Sequence, residues 1–396
     1  MVMVKDLTET TLEDLWREVK DEDEGDEISD RILAMVKLIM EHSLEAELME
    51  QLRVSWYKRV DTRRGYRNGH YERTLFTKFG VIKNLKVPRA RESFGSRIIP
   101  RYQRRVEEVN RMVRDMFLAG VSTRRVGEIL DKIHGQKISA QTVSRITQSL
   151  DREVAKFHRR PLTDTYPYLF LDGICLRVRG ADKVHKRMVL CACGINQEGK
   201  KEIISFRQAT SESEGQWQAF LSDLYHRGIE GENVRLVVTD GGTGLHRALE
   251  TVYPYVPRQR CWAHKLRNVA NKLRRRDEKE CIADARLIYL ARNRKEAVQR
   301  YRQWRADWYP TYPRAIDCVG KDLDELLNFL KVPVSHRIKV RTTNSIERTF
   351  REVRRRVRPM SCFTNTSSVE RIIYGVISHL NGRWKDKPLL DFTQES

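Results

Sequence analysis

The stretch Tyr168-Leu-Phe-Leu-Asp172-Gly-Ile-Cys-Leu-Arg-Val178 decides how this chain is read. It is a hydrophobic strand pattern with a carboxylate in its middle. An aspartate in such a setting needs a partner, and a metal cation is a good one. Asp-Gly is also a hairpin-turn signal, but a turn at Asp172-Gly173 would break one continuous apolar run. Working outward, Arg187–Cys193 and Glu202–Gln208 read as two further strands. Ser211-Glu-Ser-Glu214 reads as a capping box, followed by Trp217, Phe220, Leu221 and Leu224 at helical spacing. A fourth strand, Val234–Thr239, runs straight into Asp240.

Three strands, a helix and a fourth strand is the order of a ribonuclease H-like α/β fold, in which carboxylates on adjacent central strands meet at one sheet edge. A third carboxylate, Glu347, lies near the start of a helix read over Asn344–Val357, whose apolar stripe is Ile346, Phe350, Val353 and Val357. The spacing of Asn344 and Glu347 is also close to that of a capping box. Taken together, Asp172, Asp240 and Glu347 point to a divalent-metal site, since hard oxygen ligands suit Mg²⁺. Two such ions about 3.5–4 Å apart can stabilise both the attacking and the leaving oxygen of a phosphodiester.

The charge says what the site would act on. The 396 residues carry a net +21, which attracts nucleic acid first and acidic membrane surfaces second. Residues 1–50 hold 16 Asp/Glu against 5 Lys/Arg, a net −11, so the rest of the chain carries +32. Arg348, Arg351, Arg354, Arg355, Arg356 and Arg358 crowd the Glu347 helix and could line a phosphate track.

No stretch approaches the roughly 20 apolar residues of a membrane helix. No secretory signal is visible over Met1–Asp14. Seven scattered cysteines argue against a disulfide framework and for a reducing cytosol. A phosphate-cradling loop and a dinucleotide fingerprint are both missing, which disfavours a motor ATPase or a dehydrogenase.

The chain divides by pattern. Residues 1–57 read as an acidic helical region, a solvated leader over Asp21–Asp30 and then one or two amphipathic helices over Ile32–Leu52, suited to packing or dimerisation. Residues 58–104 read as short basic strands and turns, either an ordinary small basic sheet or a region that touches DNA through Arg67, Arg89 and Arg91. Residues 105–155 read as three helices that fit a helix-turn-helix, a pattern any three-helix bundle can mimic: Ser122 and Ser139 cap its two helices, the second exposes Gln141, Thr142 and Arg145, and these with Arg124 and Arg125 are the candidate DNA contacts. A catalytic core is expected over 160–264 and 335–358, split by a basic helical insertion over 265–334, with a tail over 359–396. Cys261-Trp-Ala-His264 has a zinc-like gap, but a four-ligand zinc needs a second pair. His264 could contact DNA or move protons, or the two side chains could be a packed structural pair.

At this point the sequence resembles a known family, the Mutator-type transposases of bacterial insertion sequences within the DDE transposase superfamily. Gly65-Tyr-Arg-Asn-Gly69, Val87-Pro-Arg-Ala-Arg91, Gly120-Val-Ser-Thr-Arg124 and Leu169-Phe-Leu-Asp172-Gly173 carry the resemblance. So do Val238-Thr-Asp240-Gly241, Gln259-Arg-Cys261-Trp-Ala-His264-Lys265 and Arg341-Thr-Thr-Asn-Ser-Ile-Glu347-Arg348. The resemblance implies that Asp172, Asp240 and Glu347 are a catalytic triad holding two Mg²⁺ ions, with Mn²⁺ able to substitute. It implies that Cys261 and His264 form the family's Cys-x-x-His element. One position departs from the pattern: the family often has His after Asp-Gly, where this chain has Gly242. The expected partners are double-stranded DNA, as terminal inverted repeats and as target, and a second copy of the chain, with no membrane. The expected place is the bacterial cytoplasm at the nucleoid, with Lys265, Arg348, Arg351 and Arg355 as further DNA contacts. A ribonuclease H-like nuclease without strand transfer and a repressor derived from a transposase are the alternatives.

Overall fold

A computed structural model describes residues 28–54, 64–91, 94–179, 183–358, 362–363 and 365–389. The expected acidic leader falls almost wholly outside the described residues. The chain forms two compact units, Met1–Gln148 and Ser149–Ser396. No described helix is long and apolar enough to cross a membrane.

In the first unit, α1 (Ile28–Leu52) is one continuous helix. It covers an antiparallel hairpin of β1 (Arg67–Thr77) and β2 (Gly80–Ala90). Leu44 meets Leu75, Ile82, Leu85 and Val87 in that core. The apolar stripe read from the sequence is only partly used, because Leu44 and Leu48 are buried while Ile32 and Ile39 remain exposed. Three short helices follow: α2 (Glu107–Leu118), α3 (Thr123–His134) and α4 (Ala140–Thr147). The two caps form as the sequence suggested. Ser122 Oγ accepts from the Arg125 amide at 3.3 Å, and Ser139 Oγ accepts from the Thr142 amide at 3.2 Å. Gly135 ends α3 in the left-handed region at φ 65°. Val109, Val113, Val126, Leu130 and Val143 close the three-helix core together with Phe76 of the hairpin. A Cβ on Gly127 would overlap the Ile138 carbonyl oxygen, so the two helices of the turn meet only because Gly127 has no side chain.

The second unit opens with α5 (Leu150–Arg159). Its sheet is built from β3 (Tyr168–Arg179), β4 (Val184–Ile195) and β5 (Lys201–Ala209), then α6 (Glu214–His226), β6 (Leu236–Thr239), α7 (Thr243–Val252) and β7 (Arg258–Arg260). The strand order is β5-β4-β3-β6-β7, with β3, β4 and β5 antiparallel and β6 and β7 parallel to β3. Leu169, Leu171, Leu190 and Val237 on one face pack under Trp217, Phe220 and Leu221 of α6 and Leu245 and Leu249 of α7. Because both faces are covered, the central strands read as nearly unbroken apolar runs.

A run of helices fills the interval after β7: α8 (Trp262–Ala270), α9 (Arg275–Tyr289), α10 (Arg294–Trp308), α11 (Pro313–Gly320), α12 (Leu323–Leu326) and α13 (Val334–Val340). Buried Trp304 and Trp262 each donate their indole N–H to a carbonyl, of Cys281 at 3.0 Å and of Leu326 at 2.7 Å. Then comes α14 (Asn344–Val357), with the bounds read from the sequence, and α15 (Thr366–Trp384).

Three features differ from the sequence reading. The capping box at Ser211 does not form: α6 starts at Glu214 with Ser213 at its N-cap and no side-chain cap. The backbone of Glu212–Glu214 is held instead against Gly244 of α7. The expected tail contains a 19-residue helix, α15, that packs on the sheet. Arg371 in it donates to both oxygens of Asp151 at 2.6 and 2.7 Å, and Asn381 bonds the N–H and C=O of Ile203 at 2.8 and 3.0 Å. Finally, β7 has no apolar alternation, and its central Gln259 is buried with its amide bonded to the Leu326 carbonyl at 3.0 Å and the Phe329 amide at 2.7 Å.

Candidate active site

The site begins with strand register. Tyr168 to Leu171 of β3 pair in parallel with Leu236 to Thr239 of β6, one for one. The next residues are Asp172 and Asp240, so the ladder delivers two carboxylates side by side where β6 stops. Gly173 N–H donates to Asp172 Oδ1 at 2.8 Å, and Gly242 N–H donates to Asp240 Oδ1 at 2.9 Å. One oxygen of each carboxylate is thus fixed by backbone. Gly241 takes φ 91°, which favours glycine, and Arg260 donates to its carbonyl at 3.4 Å.

Asp172 is only 8% exposed and forms no ion pair with a described residue. Burial first, and then the charge of Asp240, push its carboxyl up to about 7. Glu212, on the loop before α6, adds a further negative charge. Its Oε1 occupies the space that a side chain at Gly173 would fill. Burial, followed by Asp240, raises its carboxyl as well.

The other half of the site comes from two helix starts at the same sheet edge. Cys261 N–H donates to Thr239 O at 2.8 Å and Trp262 N–H to Arg341 O at 3.0 Å, so α8 begins against both β6 and the approach to α14. The Cys261 sulfur accepts from the Thr343 amide at 3.2 Å and from its hydroxyl at 3.3 Å. His264 Nδ1 lies 3.3 Å from the same hydroxyl. Its Nε2 lies 3.4 Å from Glu347 Oε1. Burial works to raise the Cys261 thiol, but hydrogen bonds from His264 and Thr343 outweigh it and hold the thiol below its ordinary range. The bond to Cys261 in turn raises His264 to about 8. The His264 imidazole is thus held between the Cys261 sulfur and Glu347. Asn344–Glu347 forms no capping box: Thr343 is the N-cap, without a side-chain cap, and Glu347 faces His264.

Among the described residues no three His, Cys, Asp or Glu side chains are grouped so as to enclose a metal ion. The donor chemistry nevertheless fits a hard divalent cation. Two adjacent carboxylates, one of them buried without a cationic side chain bonded to it, repel one another until a cation lies between them.

The sequence profile described as "Transposase, Mutator family" matches residues 7–387. The chain belongs to the Mutator family of transposases. It is 34% identical over 358 residues to the transposase for insertion sequence element ISRM5 of Rhizobium meliloti (strain 1021), covering 90% of this chain and 89% of that one. It is 33% identical to the transposase for IS905 of Lactococcus lactis subsp. lactis (strain IL1403), over 86% and 87%. It is 31% identical to the transposase for IS256 in transposon Tn4001 of Staphylococcus aureus, over 91% of both chains.

In this Mutator-family transposase the expected DNA contacts fare unevenly. Lys265 is corrected: it is 7% exposed and donates to Asp322 and to the Cys318 carbonyl, so it holds the helical region together and offers nothing to a phosphate. Arg67 is half-buried and bonded at 2.5 Å to Glu45, itself buried, which makes it a structural pair of the first unit. Arg89 and Arg91 are exposed over the rings of Tyr71 and Tyr66, at 4.6 and 5.6 Å. Arg124, Arg125, Gln141 and Arg145 are exposed, Arg125 with Glu128 at 2.7 Å, and Thr142 is half-buried. Arg348, Arg351 and Arg355 are exposed along the helix that carries Glu347. Glu212 and Thr343 were missed by sequence reasoning. Thr343 stands inside the quoted Arg341–Arg348 motif, whereas Glu212 reads as a capping-box interior and carries no signal of its own.

Proposed function

We propose that this transposase binds the terminal inverted repeats of its own insertion sequence and catalyses Mg²⁺-dependent strand cleavage and strand transfer through Asp172, Asp240 and Glu347. The observation that carries the reading is the register that places Asp172 beside Asp240 at the end of β6, within a basic chain of this family. The strand order, with two parallel strands added beside an antiparallel three, supports a ribonuclease H-like core.

When bound, Mg²⁺ would supply Lewis-acid stabilisation of the attacking and leaving oxygens. The residues do the rest. Asp172 and Asp240 each present one oxygen not occupied by backbone. Glu347 is held at the opposite side by His264, and Glu212 adds a fourth carboxylate. His264, fixed at its other nitrogen by Thr343 and Cys261, orients the Glu347 carboxylate toward the site. In the first reaction water attacks phosphorus and the 3′ oxygen leaves with a proton. In the second, the freed 3′-hydroxyl attacks the phosphorus of another phosphodiester, whose own 3′ oxygen leaves and takes up the proton that the attacking hydroxyl loses, so no covalent protein–DNA intermediate is needed. Two ends must be joined, which makes a homodimer the minimal assembly. Exposed Arg89, Arg91, Arg124, Arg145, Arg348, Arg351 and Arg355 are the proposed phosphate contacts.

The test uses DNA flanking this protein's own gene, purified protein and Mg²⁺, with strands mapped by sequencing for wild type and Glu347→Gln. End-specific cuts and joints made by wild type alone are expected. Cuts without joints would favour a simple nuclease, binding without cuts a repressor. Cleavage that survives Glu347→Gln would place the active site elsewhere.

A further inference from the structure

The β3–β4 hairpin outruns its own sheet. β6 stops pairing with β3 at Leu171, and β5 reaches along β4 only as far as Met188. Beyond those points Cys175–Arg179 and Val184–Met188 continue as a two-stranded ribbon. Arg177 lies directly opposite Lys186, and Arg187 opposite Leu176. Arg177, Arg179, Lys183 and Lys186 are exposed and Arg187 is half-buried. None of these five cations forms an ion pair with a described residue, whereas cations elsewhere in the same unit are paired, as in Arg227–Asp223, Arg260–Asp322 and Arg371–Asp151.

Like charges directly opposite on one face destabilise a strand pair. A ribbon that keeps Arg177 against Lys186 without an ion pair to any described acidic residue is therefore suited to an external polyanion. Its root is also fixed to the proposed active site from both sides. β3 itself carries Asp172, and the free edge of the ribbon is bonded to Phe363, which follows the Glu347 helix: Arg179 N–H to Phe363 O at 2.8 Å and Phe363 N–H to Arg177 O at 3.0 Å.

We propose that this ribbon is a DNA-binding surface of the catalytic unit, gripping duplex phosphates on one side of the bond to be cut. Arg177 and Arg179 lie five and seven residues beyond Asp172, about 17 and 23 Å along an extended strand. At roughly 3.4 Å per base pair, that is about five to seven base pairs from the scissile phosphate. Only this distance rests on the proposed active site; the binding surface itself does not.

The experiment compares full-length wild type with a triple variant, Arg177→Gln, Arg179→Gln and Lys186→Gln. A control triple, Lys272→Gln, Arg275→Gln and Lys279→Gln, removes equal charge from exposed positions elsewhere. Binding to a duplex of about 40 base pairs is followed in EDTA across a salt series, where each lost phosphate contact lowers the slope of log affinity against log salt by about 0.9. The ribbon variant should lose about two to three units of slope and at least roughly tenfold in affinity, with an unchanged melting temperature, while the control loses clearly less. Equal losses in the two triples would overturn the proposal, since bulk charge would then suffice. A variant carrying only Arg177→Lys and Arg179→Lys should bind as wild type does. In Mg²⁺, the cleavage defect of the ribbon variant should vanish on substrates trimmed to about four base pairs around the cut; a defect that persists on trimmed DNA would overturn the assigned distance. If wild type cuts nothing, the active-site reading fails, and the metal-free binding comparison still decides the ribbon.

Discussion

At the scale of single residues, the site gathers like charges whose burial opposes folding. Asp172 has its carboxyl raised to about 7 in the folded protein, against about 3.9 in an unfolded chain. The folded state therefore holds the proton more tightly. Stability is greatest below the unfolded value and declines as pH rises from about 4 to 7. Asp172→Asn should raise the thermal stability of metal-free protein at pH 8 by up to a few kcal/mol, on the order of 2, while abolishing cleavage. Calorimetry with EDTA at pH 5 and pH 8 checks this: an equal effect at both values would mean that the carboxyl is not titrating in this range. Glu347 depends on a neighbour instead. Cys261→Ala removes the sulfur that fixes His264 and Thr343 and should lower cleavage about 10- to 100-fold, with a weaker apparent Mg²⁺ affinity and little change in DNA binding. Unchanged Mg²⁺ dependence would make the sulfur a packing group only.

At the scale of elements, two contacts are predicted to decide stability. Gly127→Ala would drive a methyl group into the Ile138 carbonyl oxygen and should destabilise the helix-turn-helix by about 1–3 kcal/mol. Asn381→Ala would strip both backbone groups of Ile203 of their partner and should cost about 1–3 kcal/mol. Urea titration of each variant reads the shift directly. The elements that the sequence disclosed share a cause. The strand through Asp172 is apolar on both sides of its charge, and α3 and α4 announce themselves by Ser122 and Ser139 at their starts. The elements it concealed lack local signals. β7 is Arg-Gln-Arg, held by the buried amide of Gln259 rather than by apolar alternation. Lys265 looks like a phosphate contact in the sequence because its partner, Asp322, lies 57 residues away. Glu212 is placed by two glycines, Gly173 and Gly244, on other elements.

At the scale of the whole molecule, a net charge of +21 and the proposed metal-dependent centre are separable contributions. EDTA should abolish cutting and joining while leaving DNA retention within about twofold, and retention should fall steeply with salt, as counterion release requires. A loss of both on chelation would couple DNA binding to the metal. The pairing of Asp172 with Asp240 carries one more consequence. Their meeting is set by counting: four steps from Tyr168 and four from Leu236. Removing or adding one residue in either interval would turn that carboxylate to the opposite face of the sheet. The turn at Asn196–Lys200, by contrast, can change length without disturbing either count. Insertions and deletions are thus more tightly forbidden over these eight positions than most substitutions are, and a randomised-length library would show that gap in tolerance.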